Sequence, residues 1–264
     1  MNQPETTTRD IRDSNPGVSR QDDCGDHGDV PDRNVIAAGD RNSVWIVVPA
    51  FNEAGRLPAV LAELERHYGN IVVVDDGSTD QTPLLASQHR AWCLSHVANC
   101  GQGAALQTGI TFALYHGADI IVTFDADGQH RVDEIERLLG PIRQGIADVC
   151  LGSRFLGDAV GITWGRWIVL KVGVFITRLL TRLPVTDTHN GLRAFGRRAA
   201  QRIQITLNGM AHASELLDLL GSSDLRVCEA PVTIRYSVDS LNKGQSSLNS
   251  VGILCELLLT RIMR

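Results

Sequence analysis

From Ser43 onward, short apolar runs alternate with longer amphipathic stretches. The runs are VWIVVPA (44–50), NIVVVDD (70–76), DIIVTFD (119–125) and ADVCLGS (147–153), with a weaker one, AWCLSHV (91–97). Between them lie RLPAVLAELERHY (56–68), GQGAALQTGITFALYH (101–116) and VDEIERLLGPIRQ (132–144). Continuous β-branched runs separated by helical periodicity are what a mostly parallel sheet, covered on both faces, requires. The pattern predicts an α/β layered domain. In such sheets ligands sit outside the carboxyl ends of the strands. Here those ends read PAFNE, VDDGSTD and FDADGQH, so three carboxylate-bearing strand ends are expected to face one crevice.

The flanks read differently. Residues 1–42 are polar, rich in Asp, Gly and Pro, and lack periodicity, which predicts a disordered leader. The core is expected over 43–245, in two parts that meet at 153/154; the family resemblance given below makes them a nucleotide-sugar-binding half and an acceptor half. WGRWIVLKVGVFITRLLTRL (164–183) is apolar with basic interruptions. On a helix, Lys171, Arg178 and Arg182 fall within about 40° of one another. That suits an interfacial helix with cations for lipid phosphates, and equally a core helix with a solvated basic stripe. Residues 246–264 form a second apolar stretch ending in Arg261 and Arg264, expected as an amphipathic helix that extends this surface or makes a homo-oligomer contact.

Composition narrows the classes. The net charge of −5 sits mostly in the leader, which holds nine acidic and five basic side chains, and no basic excess marks a nucleic-acid binder. The six cysteines are scattered without a CxxC pair, as in a reducing compartment. No basic-then-apolar segment follows Met1 and no uncharged apolar stretch of about 18 residues occurs, so neither a secretory signal nor a spanning helix is expected. The expected location is cytoplasmic.

Asp125 and Asp127 at the end of an apolar run have three readings. DADGQHRVDEIE places oxygen side chains at the positions of a calcium loop, but His130 stands where that loop needs Gly, and a strand precedes it. A phosphatase with an aspartate nucleophile places its DxDx[TV] motif near the start of the domain, whereas this one comes third among the strands, with Gln129 fifth in it. A divalent metal remains: Mg²⁺ or Mn²⁺ favours oxygen ligands and commonly takes one or two carboxylates plus substrate phosphates. Asp75, Asp76, Asp125 and Asp127 gathered in one crevice would repel one another without a cation.

The segments VVPAFNEAGRL, IVVVDDGSTDQT, NCGQGAALQTGI, TFDADGQH, LGSRF and DTHNGLRAF follow the order of family 2 glycosyltransferases, and resemble the dolichyl- and polyprenyl-phosphate mannosyl- and glucosyltransferase branch. The resemblance spans Ser43 to Ser247. It implies a GT-A (Rossmann-like) fold, an inverting hexosyl transfer, a nucleotide-sugar donor linked to UDP or GDP, and Mg²⁺ or Mn²⁺. It assigns Pro49, Phe51 and Glu53 to the nucleobase and ribose, Asp76 with Asp75 to base reading, and Asp125, Asp127 and Gln129 to the metal. Arg154 and Arg166 match acceptor-phosphate positions, while Arg235 and Lys243 lie in the segment that closes over the donor diphosphate. The chain departs from the pattern at Leu170, at Gln102 and in KGQSS.

The acceptor divides the alternatives. A polyprenyl phosphate is already ionised and needs only cations, which would place the enzyme peripherally on the inner face of the cell membrane, in envelope polysaccharide assembly. A lipid-linked or soluble glycan hydroxyl needs a carboxylate base, for which Asp187 and Glu215 are the candidates. His189, Asn190, Arg193 and His212 are expected as supports. A sugar nucleotidyltransferase would carry a Gly-rich basic loop after its first strand, where this chain has PAFNEAGR.

Overall fold

The computed structural model describes residues 43–235 except 161–163, 165–166, 169–170, 173, 175–177, 179–182 and 209–210. The leader, Arg166, Leu170, Arg182, Lys243 and the 246–264 segment lie outside the described residues.

Seven strands form one sheet. In chain order they are β1 (Val44–Ala50), β2 (Asn70–Asp75), β3 (Trp92–Ser95), β4 (Ile120–Thr123), β5 (Val149–Ser153), β7 (Arg193–Gly196) and β8 (Val227–Pro231), while β6 (Ala159–Val160) and β9 (Ile234–Arg235) pair apart. The sheet order is β3-β2-β1-β4-β7-β5-β8. All pairings are parallel except those of β7, which runs antiparallel between β4 and β5. Helices α1 (Leu57–Leu64), α2 (Thr82–Ser87), α3 (Gln102–Tyr115), α4 (Ile135–Arg143), α5 (Arg197–Arg202) and α6 (Ala211–Gly221) flank it.

Both faces are buried, which is why the strands read as unbroken apolar runs. Along β1, Ile46 and Val48 join one core with Leu57, Leu61, Leu138 and Phe124, and Trp45 and Val47 join the other with Leu106, Ile110, Phe195 and Leu216. α3 lies close on β1 because residue 109 is glycine: a Cβ there would stand 2.3 Å from Val47 Cγ1. The sheet therefore matches the mostly parallel expectation, with β7 and β8 unforeseen. β7 is four residues long and carries buried Arg193, so its pattern does not read as a strand.

Chain order reverses between β1, which neighbours β2, and β4. Ligands of such sheets bind beyond the carboxyl ends of the strands at a switch point of this kind, and Asp75, Asp76, Asp125 and Asp127 stand at the ends of β2 and β4.

Candidate active site

The first wall is PAFNE stitched to DDGSTD. Asn52, in the left-handed region at φ 54°, accepts from Thr79 N–H at 2.9 Å, and its own N–H donates to Ser78 Oγ at 2.9 Å. Glu53 N–H donates to Thr82 Oγ1 at 2.9 Å and Ala54 N–H to Asp80 Oδ2 at 3.2 Å. Ser78 and Asp80 are thus loop staples. Pro49 is buried in β1, Phe51 is exposed at the rim, and Glu53 pairs with Arg56 at 3.3 Å.

Asp75 ends β2 and Asp76 follows it, both nearly buried, at 4% and 3% exposure. Asp75 accepts from Ser78 N–H at 3.3 Å. Asp76 accepts from Cys100 N–H at 2.9 Å, Gly101 N–H at 2.7 Å and His96 Nδ1 at 2.7 Å, with His96 Nε2 3.0 Å from Thr108 Oγ1. Asp76, His96 and Cys100 are the one compact group of three potential His, Cys or acid ligands among the described residues. Both His96 nitrogens are already bonded, so the group serves to hold Asp76.

Asp125 and Asp127 follow β4. Asp125 keeps a quarter of its side chain open (25%), so an ion can reach it. Its Oδ1 accepts from Gln102 Nε2 at 3.1 Å, and its Oδ2 lies 3.3 Å from Nε2 of buried His130, whose Nδ1 has no hydrogen-bond partner among the described residues. Burial opposes its ionisation, but the His130 hydrogen bond and the charges of His130 and Arg193 outweigh this and hold its carboxyl below the usual range. Burial and the Asp125 charge push Asp127 up to about 6. A carboxylate pair with one member kept from easy ionisation by its neighbour fits a divalent cation, whose charge would relieve both. Gln129 N–H donates to Asp127 Oδ1 at 3.0 Å, closing the turn.

The HNGLR segment presses on this pair. A Cβ at residue 191 would stand 1.9 Å from Asp125 Oδ2, so only glycine fits. Arg193, 5% exposed, lies near Asp125 and Asp187; burial lowers its pKa while those two charges oppose the shift.

Among the residues expected to serve the acceptor, Arg154 Nε donates to Asp187 Oδ2 at 2.6 Å, with both side chains buried, and Arg154 N–H donates to the same oxygen at 3.1 Å. Asp187 also accepts from His189 N–H at 3.3 Å and Asn190 Nδ2 at 3.4 Å. Glu229 braces the segment by accepting from Thr186 N–H at 2.7 Å and Asp187 N–H at 3.2 Å. Glu215, on α6, accepts from Thr206 N–H at 3.0 Å, Thr206 Oγ1 at 2.5 Å and Leu207 N–H at 2.8 Å. Burial lowers His189 to about 4, so it is neutral near pH 7. The structure thus joins Asp187 to Arg154 and places Glu215 on the 206–207 loop. The parts played by Gln102, His130, Thr186 and Glu229 were not foreseen; only the position of Gln102, noted above as a departure, gave a signal.

Residues 45–204 match the family model described as Glycosyl transferase family 2. The chain belongs to that family. This glycosyltransferase is 31% identical over 243 residues to a UDP-N-acetylglucosamine–dolichyl-phosphate N-acetylglucosaminyltransferase of Methanococcus voltae, covering 83% of this chain and 96% of the relative. It is 29% identical to a polyprenol monophosphomannose synthase of Mycolicibacterium smegmatis, covering 71% and 76%. Its fold superposes on glucosyl-3-phosphoglycerate synthase from Mycobacterium tuberculosis, solved with Mn²⁺, UDP and phosphoglyceric acid, with TM-score 0.61, 20% identity and coverage of 81% and 78%. The glycosyltransferase therefore has the GT-A architecture expected of it.

Proposed function

We propose that this glycosyltransferase moves a hexose from a UDP- or GDP-linked donor to a polyprenyl phosphate, with inversion, at a membrane face. The observation that carries the reading is the state of the two candidate bases. Asp187 is bound to Arg154, and Glu215 accepts three donors from its own loop. A hydroxyl acceptor needs a carboxylate free to take its proton, whereas an ionised phosphate brings its own nucleophilic oxygen. The names of the relatives support the same acceptor class.

In this reading Asp75 and Asp76 read the base, Pro49, Phe51 and Glu53 border the base and ribose, and Arg235 with Lys243 contacts the donor diphosphate. Asp125, Asp127 and Gln129 would hold Mg²⁺ or Mn²⁺, which when bound neutralises charge developing on the leaving diphosphate. Arg154, fixed by Asp187, presents a cation to the acceptor phosphate together with Arg166. Trp164 and Trp167 stack with centroids 5.4 Å apart and stay exposed with Ile168 and Val172, and Lys171 sits 4.1 Å over Phe155. No helix among the described residues is long and apolar enough to cross a membrane. An aromatic and cationic face of this kind supports peripheral contact with lipid.

The test replaces each candidate base without changing its shape. Asp187→Asn and Glu215→Gln are assayed for kcat against pH with polyprenyl phosphate. The proposal expects measurable kcat in both variants with no loss of the high-pH plateau. Abolition of turnover in Glu215→Gln, or in Asp187→Asn with polyprenyl phosphate binding intact, would make that carboxylate a required base and contradict the reading.

A further inference from the structure

The short segment 231–235 lies between the metal motif and the acceptor loop, and one buried carboxylate fixes it. Glu134, 3% exposed, ends the 3₁₀ turn Val132–Glu134 that follows the DADGQ loop. Its Oε2 accepts from Thr233 N–H at 2.7 Å, and its Oε1 accepts from Thr233 Oγ1 at 2.9 Å and Arg137 Nη1 at 3.2 Å. Burying a carboxylate is costly unless its lone pairs are met, and here three donors meet them, the two of Thr233 from 99 residues away.

Segment 231–235 alternates: Val232 and Ile234 are buried, and Pro231 and Arg235 are exposed. In extended chain, residues two apart share a side, so Thr233 and Arg235 leave on the same one. Arg235 N–H donates to the Gln129 carbonyl at 3.1 Å, seating β9 on the metal motif. The other edge is held too: Val232 N–H donates to Ser153 O at 3.1 Å and Ile234 N–H to Asp158 O at 3.0 Å. Residue 157 must be glycine for this approach, because a Cβ would stand 2.4 Å from Val232 O.

We infer that Glu134 is a positioning residue, setting through Thr233 where Arg235 stands relative to the metal motif and thereby the grip on the donor diphosphate. The inference rests on the proposed role of Arg235. The ligand recognised is a nucleoside diphosphate, and Glu134 touches none of it.

The experiment measures binding of UDP and UMP, and of GDP and GMP, by calorimetry with Mn²⁺ present. Proteins are wild type, Glu134→Gln, Thr233→Val, Arg235→Ala and the Glu134→Gln/Arg235→Ala double variant. Glutamine removes the charge and leaves one acceptor oxygen where Glu134 offers two to Thr233 and Arg137, so diphosphate affinity is expected to fall about tenfold while monophosphate affinity stays within about twofold. Thr233→Val, which keeps the backbone bond, shows a smaller loss with the same selectivity. In the Arg235→Ala background, Glu134→Gln adds nothing. Equal loss of both nucleotide classes, or additive losses, would make Glu134 a merely structural staple and overturn the inference. If Arg235→Ala weakens the diphosphate and Glu134→Gln does not, the inference alone falls. An Arg235→Ala variant that binds diphosphate like wild type removes the Arg235 reading and the inference with it.

Discussion

Gly191 shows how tightly the site is built at the scale of single residues. Its missing side chain admits the HNGLR segment against the Asp125 carboxylate, since a Cβ would overlap Oδ2 at 1.9 Å. Gly191→Ala is expected to displace that carboxylate and lower turnover about 10²-fold, because misplacement of about 1 Å costs that much. Mn²⁺ titration of activity checks it; wild-type response would mean Asp125 does not set metal geometry. Asp127 gives a pH test. Burial and Asp125 hold its carboxyl near 6, and a metal ligand must be deprotonated. Protonation below that point opposes binding, so Mn²⁺ affinity should fall by about tenfold per unit as pH drops under 6 and level off above it. A flat affinity between pH 5 and 7 would contradict the assignment. The DADGQ acids were legible in sequence because a doublet of charges at a strand end is conspicuous. Their partners were not, since Gln102 and His130 acquire meaning only when α3 and the loop after β4 converge.

Among elements, the parallel strands were readable because both faces are buried and the runs are unbroken. β7 was hidden because it is short and opens on Arg193, whose charge is met by Asp125 and Asp187 rather than by water. The Glu134–Thr233 staple was hidden by its separation along the chain. Packing of α3 on β1 offers a control remote from the chemistry. Gly109→Ala would drive a Cβ into Val47, and overpacking of this kind costs about 1–3 kcal/mol. The melting temperature is expected to fall by a few degrees while donor KM stays at the wild-type value, as thermal melts and initial rates would show. A changed KM with an unchanged melt would mean that α3 carries strain into the site.

For the whole molecule, buried Arg193 takes the charges of both Asp125, which follows β4 of the sheet, and Asp187, in the segment after β5, the residues proposed for the donor metal and the acceptor. The strand-end residues proposed for the donor stood out as PAFNE, VDDGS and DADGQ. Those proposed for the acceptor stood out only as residue types, because the pairing of Asp187 with Arg154 is a contact made across 33 residues. The most direct measurement of the central claim is transfer of radiolabelled sugar from a panel of UDP- and GDP-linked donors, with Mn²⁺, followed by organic extraction. Label should enter the organic phase with polyprenyl phosphate, stay out of it with polyprenol, and be lost in Asp127→Ala. Transfer to polyprenol or to a soluble glycan, with none to the lipid phosphate, would contradict the account.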